Sequence, residues 1–205
     1  MNVRIFWCDS YYFKFVVMTF KPSVIKKIFF LLFIAFAVNA TAQNKDYLVG
    51  MNGIGALKIG MSQAEIEKML NQKFILKNAL DTAVSWQDST TAKYKNINVT
   101  LFFQRHYTAE NIYYMYLTGL KTNSPLCKTK QGIGIGADKL KIIAAYEPYN
   151  ISMGPEFEDE AYTMKSKTKY LITTLSDNGE RKIIFYLRNK KVTAIEVNTV
   201  FNDEE

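Results

Sequence analysis

The chain has 205 residues and a formal net charge of +7, and 22% of its residues are charged. Nucleic-acid binding requires a clustered basic face, which the sequence shows only weakly, so that class of function is set aside. Of the two cysteines only Cys127 follows the predicted leader, which excludes an intramolecular disulfide and leaves packing as the source of stability.

The N-terminal segment has the organisation of a cleaved signal peptide. Lys26 and Lys27 precede the apolar run 28–38, and a small-residue cleavage motif, Ala40-Thr41-Ala42, follows it. The run is too short for a bilayer span, which needs about 20 residues. We therefore expect residues 1–42 to be removed, with residues 1–17 a mis-assigned start before Met18. The formal charge then falls from +7 to +3, because five basic groups and one acid are lost.

The first unit, residues 43–120, is predicted to be a helix packed on a sheet. A glycine turn at Gly60 precedes Ser62, a natural N-cap, and Glu65 stands at the place that completes a capping box. The helix should run to about Asn71. The predicted strands are 83–87, 97–103 and 112–117, with a loop at 104–111.

The second unit, residues 132–205, matches the first without a gap at a spacing of 76 residues, and residues 121–131 form the linker. Its turn and cap are Gly136 and Asp138, and its helix should stop at Glu147 because Pro148 cannot continue it. Three strands follow at 170–175, 182–187 and 192–197. The prediction is an α+β fold of two tandem repeats, each a short capped helix packed on an antiparallel meander of three to four strands.

The glycines at 132, 134 and 136 raise the question of a phosphate loop. Their spacing is G-x-G-x-G rather than the G-x-G-x-x-G of dinucleotide sites, no apolar strand precedes them, and no Gly-Lys-Ser/Thr is present. A structural turn is the interpretation that remains. Gly60 and Gly136 should permit a backbone conformation that a side chain would forbid.

The pattern Leu57-x-Ile59-Gly60-Met61-Ser62-x-x-Glu65-Ile66-x-x-Met69-Leu70 resembles the opening of SmpA/OmlA-type outer-membrane-assembly proteins and of β-lactamase-inhibitor-protein-like modules. The resemblance extends over residues 54–199. It implies tandem helix-on-sheet units that bind other envelope proteins and do not catalyse a reaction. This chain lacks the lipidated cysteine of the first group and the paired cysteines of the second, so neither specific role carries over.

No catalytic residue, metal site or cofactor is predicted. His106 and Cys127 could formally make a nucleophilic pair, but His106 lies in a predicted loop and Cys127 in the linker. Ser166 to Lys169 match S-x-x-K without the other motifs of serine–lysine enzymes. The acids Glu156, Glu158, Asp159 and Glu160 lack the alternation of a calcium loop and are expected in a solvated loop.

Two stretches are candidate binding surfaces. Alternation in the strand at 112–117 places Tyr114 and Tyr116 on one face and Met115 and Leu117 on the other, so one face could meet a partner or pack inside. Lys165, Lys167 and Lys169 should share a face, either protecting an edge strand or contacting an acidic partner. The predicted partner-binding residues are Phe103, Tyr114, Tyr116, Lys165, Lys167 and Lys169.

The sequence thus predicts an exported, periplasmic or secreted protein that binds another envelope or secreted protein through an aromatic and lysine-bearing sheet face, without enzymatic activity. The alternative is a carrier of a small lipid-like or anionic ligand in a groove between sheet and helices. An open aromatic face would favour the first, and a closed cavity of several hundred Å³ would favour the second.

Overall fold

The computed structural model of the chain describes residues 2–3, 18–19, 44–77, 86–107, 113–159 and 161–200. The chain divides into two compact units, residues 1–43 and 44–205. In the first unit, β1 (Asn2–Val3) pairs antiparallel with β2 (Met18–Thr19). The basic, apolar and cleavage segments of the predicted signal peptide lie outside the described residues.

The second unit is α+β, with two α-helices and two sheets in its described part. A short 3-10 helix, Lys45–Tyr47, precedes them. The helices are α1 (Gln63–Leu70) and α2 (Lys139–Tyr146). The strands in chain order are β3 (Leu48–Gly50), β4 (Gly53–Ile54), β5 (Leu57–Lys58), β6 (Gln87–Tyr94), β7 (Ile97–Tyr107), β8 (Tyr113–Thr122), β9 (Lys128–Thr129), β10 (Ile151–Phe157), β11 (Lys165–Leu175), β12 (Arg181–Arg188) and β13 (Lys191–Thr199).

One continuous seven-stranded sheet carries most of the fold. Its strand order is β10-β11-β12-β13-β8-β7-β6, and every neighbouring pair is antiparallel. The meander β6-β7-β8 meets the meander β11-β12-β13 where β8 pairs with β13. The two predicted meanders are therefore parts of one sheet.

A smaller sheet has the strand order β5-β4-β3-β9. It joins residues 48–58, at the start of the second unit, to the predicted linker. Here β3 pairs with β9 in parallel, while β3-β4 and β4-β5 are antiparallel. Within the predicted linker, 121–131, Cys127 and Thr129 are completely buried. This segment is thus packed into the core, because its side chains fill space beside the first strands of the unit.

The two helices begin at turns with matching backbone hydrogen bonds to the large sheet. The N–H of Gly60 donates to the carbonyl of Leu117 over 2.8 Å, and Leu117 N–H donates to Met61 over 2.8 Å. In the second half, Gly136 N–H donates to Val192 over 2.8 Å, and Val192 N–H donates to the residue after the glycine over 3.0 Å. Both glycines have positive φ, 91° and 83°, which a side chain would oppose.

The caps of the two helices differ. Ser62 and Glu65 form the reciprocal capping box: Ser62 N–H donates to the Glu65 carboxylate over 2.8 Å, and Glu65 N–H donates to Ser62 Oγ over 3.3 Å. Asn71 ends α1 in the left-handed conformation. Asp138 caps α2 alone, accepting from Leu140 N–H over 3.0 Å.

One hydrophobic core lies on the side of the large sheet that faces both helices. Ile66 of α1 and Ile142 of α2 are completely buried, and the ring of Tyr146 lies 5.5 Å from that of Phe185. Leu120 of β8 and its cross-strand partner Val197 of β13 are also completely buried. The two halves therefore share a core across the central strand pair.

The sequence predicts the second meander closely and the first one poorly. Residues 104–107, predicted as loop, belong to β7, and the turn between β6 and β7 lies at residues 95–96, where Lys95 has φ 53°. Only Gln87 of the strand predicted at 83–87 belongs to β6, and residues 83–85 lie outside the described residues. The rest of β6 was missed because polar residues such as Thr91 occur along it. One of the acids expected in a loop, Glu156, lies in the strand β10, which pairs with β11.

Candidate functional site

The large sheet has an open face, which we define as the side chains that point away from the two helices. In β7 the buried side chains Leu101, Phe103 and Arg105 alternate with the more exposed Gln104 and His106. The same alternation in β8 buries Met115 and Leu117 and turns Tyr114 and Tyr116 to the open face. The open face is therefore where chain alternation puts the predicted tyrosines.

His106, Tyr114 and Tyr116 form an aromatic cluster at one end of the open face. The centroid of the His106 ring lies 5.6 Å from that of Tyr114 and 5.8 Å from that of Tyr116, both edge to face. The two tyrosine rings are 6.2 Å apart. Tyr114 is 44% exposed, whereas the partial burial of Tyr116 raises its pKa. Rings held by one another in this way present apolar area at low entropic cost, as interface anchors do.

A buried ionic network occupies the centre of the open face, where the two meanders meet. The Tyr186 hydroxyl donates to the Glu196 carboxylate over 2.8 Å, and Asn198 Nδ2 donates to it over 3.1 Å. Lys121 Nζ lies 3.8 Å from Glu196 Oε2 and 3.5 Å from the centroid of the Tyr186 ring. Burial, then the neighbouring carboxylate, raises the pKa of Tyr186, so its hydroxyl stays protonated as a donor.

The sequence did not single out this network. The sequence feature that could have revealed it is the position of Glu196 between the apolar residues Ile195 and Val197. Alternation along a strand places this carboxylate on the face opposite to those two apolar side chains. Glu196 is only 6% exposed, and a charge at that burial needs paired donors. Those donors come from β8, β12 and β13, which only the strand order reveals.

Phe103 does not lie on the open face. It is completely buried, and its ring centroid is 6.4 Å from that of Phe74, which follows α1. Alternation along β7 places Phe103 on the same face as the buried Leu101, and its cross-strand partner Leu117 is also completely buried. Phe103 therefore cannot supply the surface anchor that the sequence predicts, because its ring has no exposed area.

The three lysines of β11 are not brought together as one patch. Lys169 Nζ forms an ion pair with Glu158 over 2.9 Å, whereas Lys167 lines a groove that contains neither Lys165 nor Lys169. The hydroxyl of Ser166 accepts from the N–H groups of Thr168 and Lys169, which breaks the regular alternation of the strand. β11 is also not an edge strand, since β10 covers it and carries Pro155 at the edge.

His106 and Cys127 are far apart in the fold. Cys127 is completely buried, and burial raises the pKa of its thiol to about 11, so the thiolate is disfavoured. Its neighbour Thr122 donates to the carbonyl of Asn98 at the start of β7. His106 stands eight residues further along that strand, which corresponds to roughly 26 Å. This pair therefore cannot act as a nucleophile and base.

The described acids of the cluster at 156–160 make separate local contacts. Asp159 accepts from Thr163 N–H over 3.0 Å and from Met164 N–H over 2.8 Å, while Glu158 is paired with Lys169. Glu160 lies outside the described residues. In the part of the chain that the structure describes, no group of three or more His, Cys, Asp or Glu side chains is placed to hold a metal ion.

The grooves on the surface include three that are open to solvent and lined entirely by described residues. The one on the open face, about 360 Å³, lies between β6, β7, β8 and β13 and is lined by Thr91, Asn98, Thr100, Lys121, Thr122, Asn123, Thr193 and Ala194. A second, about 300 Å³, lies beside the start of α2, and a third, about 230 Å³, beside the end of α1. Among the described helices, none has the length and apolar content needed to traverse a bilayer.

No protein-family model matches the chain, and no similar curated protein or solved structure was found. The resemblance to envelope binding modules therefore rests on the two glycine-turn motifs alone.

Proposed function

We propose that this protein is an exported, non-enzymatic binding module of the cell envelope that holds another protein on the open face of its sheet. The observation that carries the proposal is the aromatic cluster of His106, Tyr114 and Tyr116, which lies on the face of the sheet opposite the shared core. Tyrosine is enriched in protein interfaces because its ring tolerates both buried and wet states.

We also propose that residues 57–122 and 133–199 are two copies of one helix-on-sheet unit. The matching hydrogen bonds at Gly60 and Gly136 support this, as do the equivalent bridges Ser62 to Tyr116 and Asp138 to Lys191. Joining the two copies through β8 and β13 gives a sheet wide enough to meet a protein surface. A single copy would present only three or four strands.

The polar centre of the open face adds specificity to this proposal. The network of Lys121, Tyr186 and Glu196 gives a partner one ammonium group beside a buried carboxylate, flanked by the threonine-lined groove. Charges fixed by such hydrogen bonds select a partner by complementarity more than they add affinity. We expect the partner to place a carboxylate or a backbone carbonyl near Lys121.

The test is a crosslinking pull-down from the envelope fraction of the source organism with residues 43–205 as bait. A Tyr114→Ala/Tyr116→Ala variant is the probe, and Tyr149→Ala/Tyr162→Ala removes two exposed tyrosines elsewhere as the matched control. A protein retained by the parent and the control but lost by the probe supports the proposal. Circular dichroism of each variant checks that it is folded.

The carrier alternative is decided in the same experiment. If the parent retains no protein, while native mass spectrometry of the purified protein shows a bound small molecule, the interface proposal is overturned in favour of the carrier. A protein captured equally by parent, probe and control would also overturn it, because the tyrosine cluster would then have no part in recognition.

A further inference from the structure

A groove beside the start of α2, away from the open face, gathers three positive charges. It measures about 300 Å³ and is lined by Lys139, Lys167, Thr168, Tyr170, Asn189 and Lys190; we call it the lysine groove. The three lysines come from α2, from β11 and from the turn between β12 and β13. Their convergence is thus a product of the tertiary fold and not of a run in the sequence.

Hydrogen bonds fix the walls of the lysine groove to one another. Lys139 N–H donates to the carbonyl of Lys190 over 2.9 Å, and Asn189 N–H donates to the carbonyl of Thr168 over 2.9 Å. The Tyr170 hydroxyl donates to the Lys167 carbonyl over 3.3 Å, and Lys139 Nζ lies 5.5 Å above the Tyr170 ring. The lysine stems therefore start from backbone positions that are already in place before a ligand arrives.

Among the described residues, the lysines of the groove differ from those around it in forming no close ion pair. Just outside, Lys169 is paired with Glu158 over 2.9 Å and Lys191 with Asp138 over 3.3 Å. None of the ion pairs among the described residues includes Lys139, Lys167 or Lys190. The nearby Asp138 accepts from Leu140 N–H and pairs with Lys191, and it attracts Lys190 without forming an ion pair with it. Three like charges around one groove repel unless an anion lies between them.

We propose that the lysine groove binds a phosphate-type oxyanion, either free or as part of a phospholipid headgroup. Three ammonium groups match the charge of such an anion, and lysine binds phosphate as a point charge without demanding planar geometry. Thr168 and Asn189 also line the groove, and their side chains carry a hydroxyl and an amide that can donate without charge. This site is independent of the partner surface proposed for the open face.

The first arm of the test titrates the full chain with inorganic phosphate at constant ionic strength, with heat as the readout. The probe variant is Lys167→Gln/Lys190→Gln, and the control is Lys141→Gln/Lys165→Gln, which removes the same charge from outside the groove. We expect the probe to bind phosphate at least about tenfold more weakly than the parent, since two charged hydrogen bonds are lost. The control should stay within about twofold, because exposed charges contribute little.

The second arm distinguishes the two sources of phosphate by flotation with vesicles of phosphatidylglycerol or of phosphatidylcholine alone. The apolar run 28–38 is common to all variants, so its contribution to membrane binding cancels. Selective loss of phosphatidylglycerol binding in the probe assigns the headgroup, and retention beside weakened phosphate binding assigns a free phosphate. The proposal is overturned if the parent binds neither phosphate nor phosphatidylglycerol, or if probe and control weaken equally.

Discussion

The halves built around α1 and α2 attach their glycine turns to the sheet by the same backbone hydrogen bonds, yet they expose different chemistry. Around α1 the helix end is closed by the Glu67 carboxylate, which accepts from Lys73 Nζ over 2.8 Å and from Phe74 N–H over 2.9 Å. Around α2, by contrast, Leu140 is 71% exposed and the lysine groove opens beside it. The two turns share their backbone hydrogen bonds, and the halves differ in the side chains that they expose.

The largest expected effect tests whether each half buries an aromatic ring in the core. Phe103→Ala should lower the free energy of unfolding by about 3–5 kcal/mol, and Phe185→Ala by a similar amount, because both rings are completely buried. Phe102→Ala, one residue away on the open face, is the control and should cost clearly less, about 1–2 kcal/mol, because its ring is only partly buried. Urea unfolding measures all three. Equal losses in Phe103→Ala and Phe102→Ala would contradict the burial of Phe103 in the core.

A smaller effect tests the shared backbone frame itself. Gly60→Ala and Gly136→Ala should each cost about 1–2 kcal/mol, because φ is positive while nothing lies within 4 Å of the added Cβ. Gly154→Ala is the matched control, with the same open space and no positive φ. Thermal and urea unfolding compare them. A cost at only one of the two turns would show that the halves hold their helices differently.

The smallest expected effect concerns the Glu67 carboxylate, which closes the end of α1. Hydrogen bonds from Lys73, Phe74 N–H and Gln63 lower the pKa of Glu67 from 4.5 to about 2. The stabilisation is therefore fully present above pH 4.5 and is lost as the pH falls towards 2. Lys73 is 90% exposed, so solvent screening limits the contribution to about 1 kcal/mol.

The Glu67→Gln variant should accordingly be slightly less stable at neutral pH and should lose stability less steeply between pH 4.5 and 2. Glu147→Gln, at the exposed end of α2, serves as the comparison, because it removes one acid and leaves the hydrogen bonds of Glu67 intact. Urea unfolding at a series of pH values gives both slopes. If the free energy of unfolding of Glu67→Gln changed with pH as steeply as that of the parent, protonation of Glu67 would not be what weakens the first half.

The sequence predicts features that depend on nearby residues better than features that depend on distant ones. The Ser62 and Glu65 capping box, the stop of α2 before Pro148 and the meander after residue 170 all follow from local patterns. The small sheet was missed because β3 and β9 are short and pair across 80 residues. Such short strands carry no periodicity of their own.

The sequence predicts the part of the candidate site that depends on one strand, and it misses the part that depends on how strands pair. Alternation along β8 places Tyr114 and Tyr116 on one face, but alternation cannot say that Phe103, in the neighbouring strand, lies on the other. The strand pairing decides the face, because Phe103 lies opposite the buried Leu117 whereas Tyr116 lies opposite Gln104. Likewise, Lys167 joins Lys139 and Lys190 only because the fold brings three separate elements to one groove.

The pairing of β8 with β13 has a consequence for how the chain folds. Each meander consists of contacts between neighbours in sequence, whereas the central seam joins residues about 75 positions apart through four residue pairs, from Ile195 with Thr122 to Asn198 with Gly119. Closing so long a loop costs entropy before the seam returns any contact energy. The two meanders should therefore form early and meet late, and the open face exists as one surface only once that last step is complete.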